Sequence, residues 1–303
     1  MQVVDRYGRV LSRLRVSVTN RCNFRCFFCH MEGERIGMNR ELTLREYRDI
    51  FQVCKELGIT RVKFTGGEPL LREDIVDLVS LASKYFEDIS LTTNGSLLAH
   101  YAKELANAGL NRINISLHTL RRDKFRNITG VDKLEEVLHG VELAAHLFDP
   151  VKLNVTVMKE VNDNELWSLV EFSGKSGVIL QVIELQMTPN INNPLRTYHY
   201  DLEPFMKKLE EEGFRKMKTK RGKTKFVKEE GKRFEIDIVK PIHNGSFCMG
   251  CETLRLTSYG AFKPCLMRSD EILLKEGFEK AEIRDAILRT NELRRPYWVV
   301  ANV

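Results

Sequence analysis

Six of the seven cysteines in this 303-residue chain form two triplets far apart in the sequence. Cys22, Cys26 and Cys29 have the spacing C-x3-C-x2-C, and Cys248, Cys251 and Cys265 have C-x2-C-x13-C. Each triplet offers three soft thiolates, one fewer than a closed tetrahedral site takes. A metal centre held by three protein ligands keeps one coordination position open, and chemistry can occur there. For the first triplet, zinc completed by His30 is an alternative. Four ligands packed so closely, however, leave no second half-site to clamp. Three cysteines wrapped in one loop suit an iron–sulfur cubane, with one thiolate to each of three irons. For the second triplet, zinc completed by His243 stands beside a second cluster. The seventh cysteine, Cys54, lies among Tyr47, Ile50, Phe51 and Leu57 at helical spacing and reads as core filler.

The elements that must position these residues follow from apolar periodicity. Strands are expected over Arg15–Thr19, Arg61–Thr65, Ile89–Thr93, Arg112–Ser116, Lys152–Met158 and Ile179–Glu184. Amphipathic helices are expected near Thr43–Leu57, Asp74–Phe86, Leu97–Ala108, Asp132–Phe148 and Asn164–Lys175. Thr43 with Glu46 predicts a capping box, and Gly58 a helix stop. Strands separated by helical crossovers imply parallel, right-handed units in an α/β fold. A flat doubly wound sheet is possible, but a partial (βα)6 TIM-like barrel is favoured. Candidate binding residues recur just after strand C-terminal ends, where such barrels place their sites. They are the cysteine loop, the Gly66-Gly67-Glu68-Pro69 turn, the Thr92-Thr93-Asn94-Gly95 turn, and Ser116 with His118. The turn-rich Thr188–Pro194 suggests a boundary, giving a barrel over 1–190 and a C-terminal α+β region over 191–303. That region should hold a helix near Leu202–Glu212, the second triplet and a helix near Ile283–Arg294.

Composition is that of an ordinary globular chain: 43% apolar and 30% charged. No apolar run is long enough to span a membrane, and the Met1–Arg9 segment lacks the apolar core of a secretion signal. A cytoplasmic protein is expected, with cysteines used for metal rather than disulfides. Net charge is +6, and much of the excess lies in Arg215–Arg233. A solvated hairpin and a basic wall for an anionic substrate are both consistent with that stretch. Nucleic-acid binding is disfavoured, because few aromatics interleave the charges and no reading module matches.

The run Cys22-Asn23-Phe24-Arg25-Cys26-Phe27-Phe28-Cys29, followed by Gly66-Gly67-Glu68-Pro69, resembles the radical S-adenosylmethionine superfamily. The resemblance implies a [4Fe–4S] cluster whose fourth iron chelates the methionine part of S-adenosylmethionine, and a 5'-deoxyadenosyl radical after reduction. It places Phe28 against adenine, Gly67 at the methionine amino group, and Ser116 and Gln186 among further cofactor contacts. The second triplet and the opening Asp5-Arg6-Tyr7-Gly8-Arg9 and Leu14-Arg15-Val16-Ser17-Val18-Thr19 resemble the GTP 3',8-cyclase family, which begins molybdenum cofactor synthesis. The likeness runs along essentially the whole chain and is weakest in the linker and basic stretch.

That family resemblance implies hydrogen abstraction from C3' of GTP and attack on C8 of guanine, with an auxiliary [4Fe–4S] cluster holding the base. Arg15, Lys63, Thr92, Lys152, Thr253 and Arg255 match substrate-binding positions, and Arg255 also a catalytic one. Implied partners are GTP, a reductant such as ferredoxin or flavodoxin, and a downstream cyclic pyranopterin monophosphate synthase. Monomer and homodimer both remain open. The chain departs from the bacterial pattern at several positions. Thr253, Lys63 and Gln181 replace arginines, His118 replaces an aspartate, and Ala301-Asn302-Val303 replaces a double-glycine tail. Archaeal-type members look nearest, and only four glutamines (Gln2, Gln52, Gln181, Gln186) suit a thermophile. Two other readings are a radical enzyme that matures peptides and a zinc-stapled nucleic-acid module.

Overall fold

Alternation of apolar and polar residues along most of the parallel strands organises the molecule. The computed structural model describes residues 2–35, 37–38, 40–186, 193–219 and 222–297. A short antiparallel ribbon comes first, β1 (Val3–Val4) with β2 (Val10–Leu11). The barrel units follow in order. They are β3 (Arg13–Ser17), α1 (Leu44–Glu56), β4 (Arg61–Thr65), α2 (Ile75–Ala82), β5 (Asp88–Thr93) and α3 (Leu98–Asn107). Next are β6 (Arg112–Ser116), α4 (Arg122–Thr129), α5 (Leu134–Leu147), β7 (Val151–Val157), α6 (Leu166–Lys175) and β8 (Ile179–Glu184). Strands β3 to β8 pair in sequence order, all parallel. This is the partial (βα)6 barrel that the sequence predicts.

The rest of the chain extends the same sheet at both edges. After α7 (Glu203–Glu211) come β9 (Arg215–Lys218), β10 (Thr224–Glu230) and β11 (Lys232–Val239), an antiparallel set whose β11 pairs parallel with β8. After α8 (Gly245–Met249), β12 (Thr253–Leu256) pairs parallel with β3, and β13 (Ala261–Lys263) and β14 (Ile272–Leu273) follow antiparallel. The last helix is α9 (Lys280–Glu292). Among the described residues the sheet order runs from β14 through β12, β3 to β8 and β11 to β9 without closing. Because β12 docks on β3, the amides of Ser12 and Arg13 bond to the Glu252 carbonyl. That ladder starts β3 two residues earlier than periodicity suggests. The expected boundary at Thr188–Pro194 and the tail at Ala301–Val303 fall largely or wholly outside the described residues.

Leu14, Val16, Val62, Phe64, Ile89, Leu91, Ile113, Ile115, Leu153, Val155, Leu180 and Val182 are buried in one continuous core with the helices. Strand residues between them, including Arg15, Lys63, Asn114, Asn154 and Gln181, therefore face the barrel interior. Cys54 is fully buried on α1, as the helical spacing predicts. The capping box forms: Glu46 N–H donates to the Thr43 hydroxyl at 3.3 Å, and Thr43 N–H to the Glu46 carboxylate at 2.8 Å.

The turn after β4 packs directly against the backbone that leads into the first cysteine. Gly67 N–H donates to the Thr19 carbonyl and Glu68 N–H to the Arg21 carbonyl, each at 2.7 Å. A Cβ on Gly67 would lie 2.1 Å from the Arg21 carbonyl oxygen, a contact neither backbone can relieve. Gly66 has φ +152 and meets the Thr19 carbonyl similarly, at 2.4 Å. Gly67→Ala is accordingly expected to cost about 1–3 kcal/mol of stability through overpacking and to lower iron bound at the first triplet. A melting temperature and iron content equal to wild type would contradict this contact's role.

Candidate functional site

The first triplet sits in the loop leaving β3, at the C-terminal mouth of the barrel. Phe24 N–H approaches the Cys22 sulfur and Met31 N–H the Cys29 sulfur, both at 3.4 Å, while Cys29 N–H donates to the Cys26 carbonyl. Burial and the neighbouring Cys29 and Cys22 push the Cys26 thiol up to about 12. Among the described residues, no group of His, Cys, Asp or Glu converges on a single ion. His30 spends its Nδ1 accepting Glu32 N–H at 3.1 Å, so it does not complete a zinc site through that atom. Three sulfurs brought into one loop suit a cubane, which spreads its thiolates over separate irons.

Phe28 points toward the barrel mouth, its ring edge-on to His118 with centroids 4.9 Å apart. His118 is buried; its Nδ1 accepts Thr156 N–H at 3.2 Å and its carbonyl accepts from the Asn162 amide at 2.8 Å. Ser116 ends β6 opposite Asn154, and Gln186 follows the end of β8. Glu68 ties the glycine turn to the next one. It is buried, accepts from the Thr93 hydroxyl and Asn94 N–H at 2.6 Å each, and caps Leu70 N–H at 3.0 Å. Burial raises its pKa to about 7 against the pull of these donors.

The substrate-type residues line one interior row. Register places Arg255 beside Arg15, and Arg15 beside Lys63. Both arginines converge on Glu32, three residues after Cys29. Arg15 donates from Nε at 2.9 Å and from Nη2 at 2.5 Å, and Arg255 donates from Nη1 at 2.7 Å. Thr65 adds its hydroxyl at 3.1 Å. Burial opposes ionisation of Glu32, yet the two guanidiniums hold its carboxyl well below the usual range. Glu32 reaches this position with a left-handed φ of 52, an uncommon state for a non-glycine residue. A cleft lined by Arg15, Glu32, Thr65, Arg255 and Lys263 opens at this point.

Farther along the wall, Lys63 Nζ donates to Asn114 at 2.9 Å; Asn114 reaches Asn154, and Gln181 donates to Asn154 at 2.7 Å. Burial and the cations Arg15, Arg13 and Lys223 push the Lys63 ammonium well below its ordinary pKa. Lys152 pairs with Asp237 on β11. Thr92 sits beside Asn114 in register, and Thr253 opens β12 beside Arg13. The basic stretch divides in two. Lys216, Lys225, Lys228 and Arg233 pair with nearby glutamates, whereas Lys223 reaches inward to Gln181 at 3.1 Å.

The second triplet lies between α8 and β13, with Cys251 N–H donating to the Cys248 carbonyl at 3.1 Å and Met267 N–H approaching the Cys265 sulfur at 3.4 Å. Arg9 donates to the Cys248 carbonyl at 2.9 Å and Arg294 to the Cys251 carbonyl at 2.5 Å. Two buried guanidinium nitrogens next to these bonds, Arg9 Nη2 and Arg294 Nε, have no partner among the described residues. Orphan cationic donors beside a thiolate loop fit an anionic cluster there.

Residues 16–173 match the family model of the radical SAM superfamily, and residues 178–299 that described as Molybdenum Cofactor Synthesis C. Probable GTP 3',8-cyclases from Thermococcus kodakarensis and Archaeoglobus fulgidus are 44% and 41% identical to this chain; both alignments cover 97% of it and 99% and 98% of those relatives. The chain belongs to the GTP 3',8-cyclase family of radical SAM enzymes. As a family member it uses S-adenosylmethionine and two [4Fe–4S] clusters. In fold it resembles Streptococcus suis SuiB bound to S-adenosylmethionine, with TM-score 0.70 at 15% identity over 95% of this chain and 69% of that one. Native anSMEcpe with bound AdoMet gives 0.62 at 16% over 93% and 82%. At such identities the likeness speaks for the fold alone.

Beside the residues that the sequence singles out, the structure places Glu32, Lys263, Lys223 and the Asn114–Asn154 pair on the same wall. Lys223 carried a signal as one of many cations in the basic stretch. The alternating pattern of β6 and β7 also marked Asn114 and Asn154 as inward-facing, had the interior been taken as polar.

Burial pushes the His118 pKa down from 6.5 to about 4. The unfolded chain therefore takes up this proton first, and the contribution of His118 to stability, full above pH 6.5, drains away as pH falls toward 4. The loss should total roughly 3 kcal/mol. His118→Asn, which keeps an acceptor for Thr156 N–H, should flatten the denaturation profile over that window; an unchanged slope would remove His118 as its cause.

Proposed function

We propose that this protein is a GTP 3',8-cyclase, converting GTP to (8S)-3',8-cyclo-7,8-dihydroguanosine 5'-triphosphate at the start of molybdenum cofactor synthesis. One observation carries the reading: a parallel barrel whose inner wall carries several cations among polar side chains, running between two cysteine triplets. Parallel strands are ordinarily apolar on both faces. An interior row of Arg15, Lys63, Lys152, Lys223 and Arg255 suits a ligand with several negative charges and a polar base.

The first cluster with S-adenosylmethionine supplies hydrogen-atom abstraction when both are bound. Phe28, Gly67, Ser116 and Gln186 serve the cofactor, and Cys22, Cys26 and Cys29 hold its cluster. Arg15 and Arg255 grip the triphosphate, and their shared bond to Glu32 keeps the two guanidiniums converged before a phosphate arrives. Arg255 also faces Lys263, two residues before Cys265, so this catalytic arginine joins the phosphate grip to the auxiliary triplet. Lys63 and Lys152 add charge, and Thr92 and Thr253 add hydroxyls. Lys223 supplies the cation that Gln181 lacks. A one-electron carrier of the ferredoxin or flavodoxin class reduces the first cluster, and the product passes to cyclic pyranopterin monophosphate synthase in the cytoplasm.

Anaerobic turnover of reconstituted protein with GTP, S-adenosylmethionine and a reductant, followed by mass analysis of the nucleotide, tests this directly. A cyclised triphosphate isomer of GTP with 5'-deoxyadenosine is expected; 5'-deoxyadenosine with untouched GTP would refute the assignment. Cys251→Ala should still cleave the cofactor yet make no cyclised nucleotide, and normal product from protein lacking that cluster would count against its role. Lys223→Ala should weaken GTP binding by about 1.5–3 kcal/mol, the range of a charge-assisted contact, and leave guanosine binding unaffected. Equal losses for both ligands, measured by calorimetry, would assign Lys223 to the hairpin and not to phosphate.

A further inference from the structure

The ribbon β1–β2 and the end of α9 meet behind the second triplet, where three ionic side chains are almost wholly shielded from water. Side-chain exposure is 0% for Asp5, 5% for Arg9 and 1% for Arg294. Asp5 accepts from Arg9 Nε at 2.8 Å and lies 3.5 Å from Arg294 Nη1. Its other oxygen caps the Tyr7 and Arg9 amides at 2.9 and 3.0 Å, which fixes the ribbon's turn. Arg294 further bonds the Asn291 side chain at 3.0 Å and the Arg9 carbonyl at 3.4 Å. One carboxylate thus faces two guanidiniums, leaving a buried excess of one positive charge. Uncompensated charge of this kind is expensive to hide from water.

The bonds to the Cys248 and Cys251 carbonyls use Arg9 Nη1 and Arg294 Nη2, whereas Arg9 Nη2 and Arg294 Nε stay unpartnered among the described residues. An oxidised cubane core with three thiolates carries one net negative charge, which matches the excess. We propose that Asp5, Arg9 and Arg294 form a buried cationic clamp that positions the auxiliary cysteine loop, offers its spare N–H groups to the cluster, and so sets how firmly the cluster is held and how readily it is reduced. The clamp acts through the loop and the cluster's surroundings, so these are positioning residues. A cation beside the cluster favours its more negative, reduced form, and hydrogen bonds toward the sulfurs work in the same direction.

The inference rests on the cluster assignment and not on the identity of the substrate. Reconstituted Arg294→Met and Arg294→Lys are compared with wild type for iron loss to a chelator and for redox titration followed by electron paramagnetic resonance. The first cluster in the same molecule serves as the internal control. Arg294→Met should lose auxiliary-cluster iron at least tenfold faster and shift that cluster's midpoint to more negative potential, with the first cluster unchanged. Arg294→Lys, which keeps the charge but not the fork, should recover the midpoint while iron loss stays fast. Wild-type iron retention and potential in Arg294→Met would overturn the clamp, as would equal loss of both clusters, which marks a general fold staple. Should Arg294→Met fail to fold, Arg9→Lys serves: faster loss confined to the auxiliary cluster supports the clamp, and unchanged retention overturns it. GTP turnover by wild type is a separate measurement, so failure of the clamp and failure of the cyclase reading are told apart.

Discussion

The period-two alternation of the barrel strands is the constraint on which the rest depends. A parallel strand sandwiched between helices and a filled barrel is ordinarily apolar on both faces. Here the helix-facing residues are apolar, with Val16, Phe64, Leu91, Ile115, Val155 and Val182 all in the core, while the inward face is polar except at Ile179 and Ile183 of β8. The opposite face is left to Arg15, Lys63, Thr92, Asn114, Lys152, Asn154 and Gln181. Side chains of this kind line the barrel interior with charges and hydrogen-bonding groups in place of a dry apolar filling. The wall residues on these strands inherit their direction from that pleat, and shifting one strand by a single position would exchange wall for core.

A few buried carboxylates organise this interior, each at a different junction. Glu68 joins the glycine turn to the following β5 turn, Glu32 gathers two strands' arginines beneath the first cysteine loop, and Asp237 takes Lys152. Glu34 does comparable work for the far edge, accepting from Ser258 N–H at 2.6 Å and its hydroxyl at 2.7 Å. Glu32 separates two arginines that would otherwise repel one another, whereas Glu68 and Glu34 take only neutral donors. Glu32, Glu34 and Glu68 also tie their loops to segments distant in sequence, and Asp237 ties strand β11 to β7.

What could be read beforehand was what repeats. The six barrel strands, most helices, the cysteine triplets and the capping box at Thr43 all follow from local spacing. Longer-range pairing escaped: β12 beside β3 and β11 beside β8 are contacts between segments roughly 240 and 55 positions apart, and no local pattern encodes them. The helix Arg122–Thr129 was missed because its buried face is only Phe125, Ile128 and Thr129, too few to set a period. Glu32 was invisible for a different reason. Its role comes from a left-handed backbone that turns an ordinary glutamate inward, and nothing in its neighbours announces that. The opening Asp5–Arg9 motif was noticed as a likeness, but its reason for existing emerged only with Arg294 beside it.

The second metal pocket is assembled from positions up to 285 apart, with Arg9 and Arg294 meeting across it. A nascent chain exposes its first cysteine loop early, whereas the later one gains its supports only after α9 has left the ribosome. The support of the second cysteine loop is therefore complete only when the two ends of the chain have met, whereas the glycine turn that backs the first loop comes from residues 66 and 67.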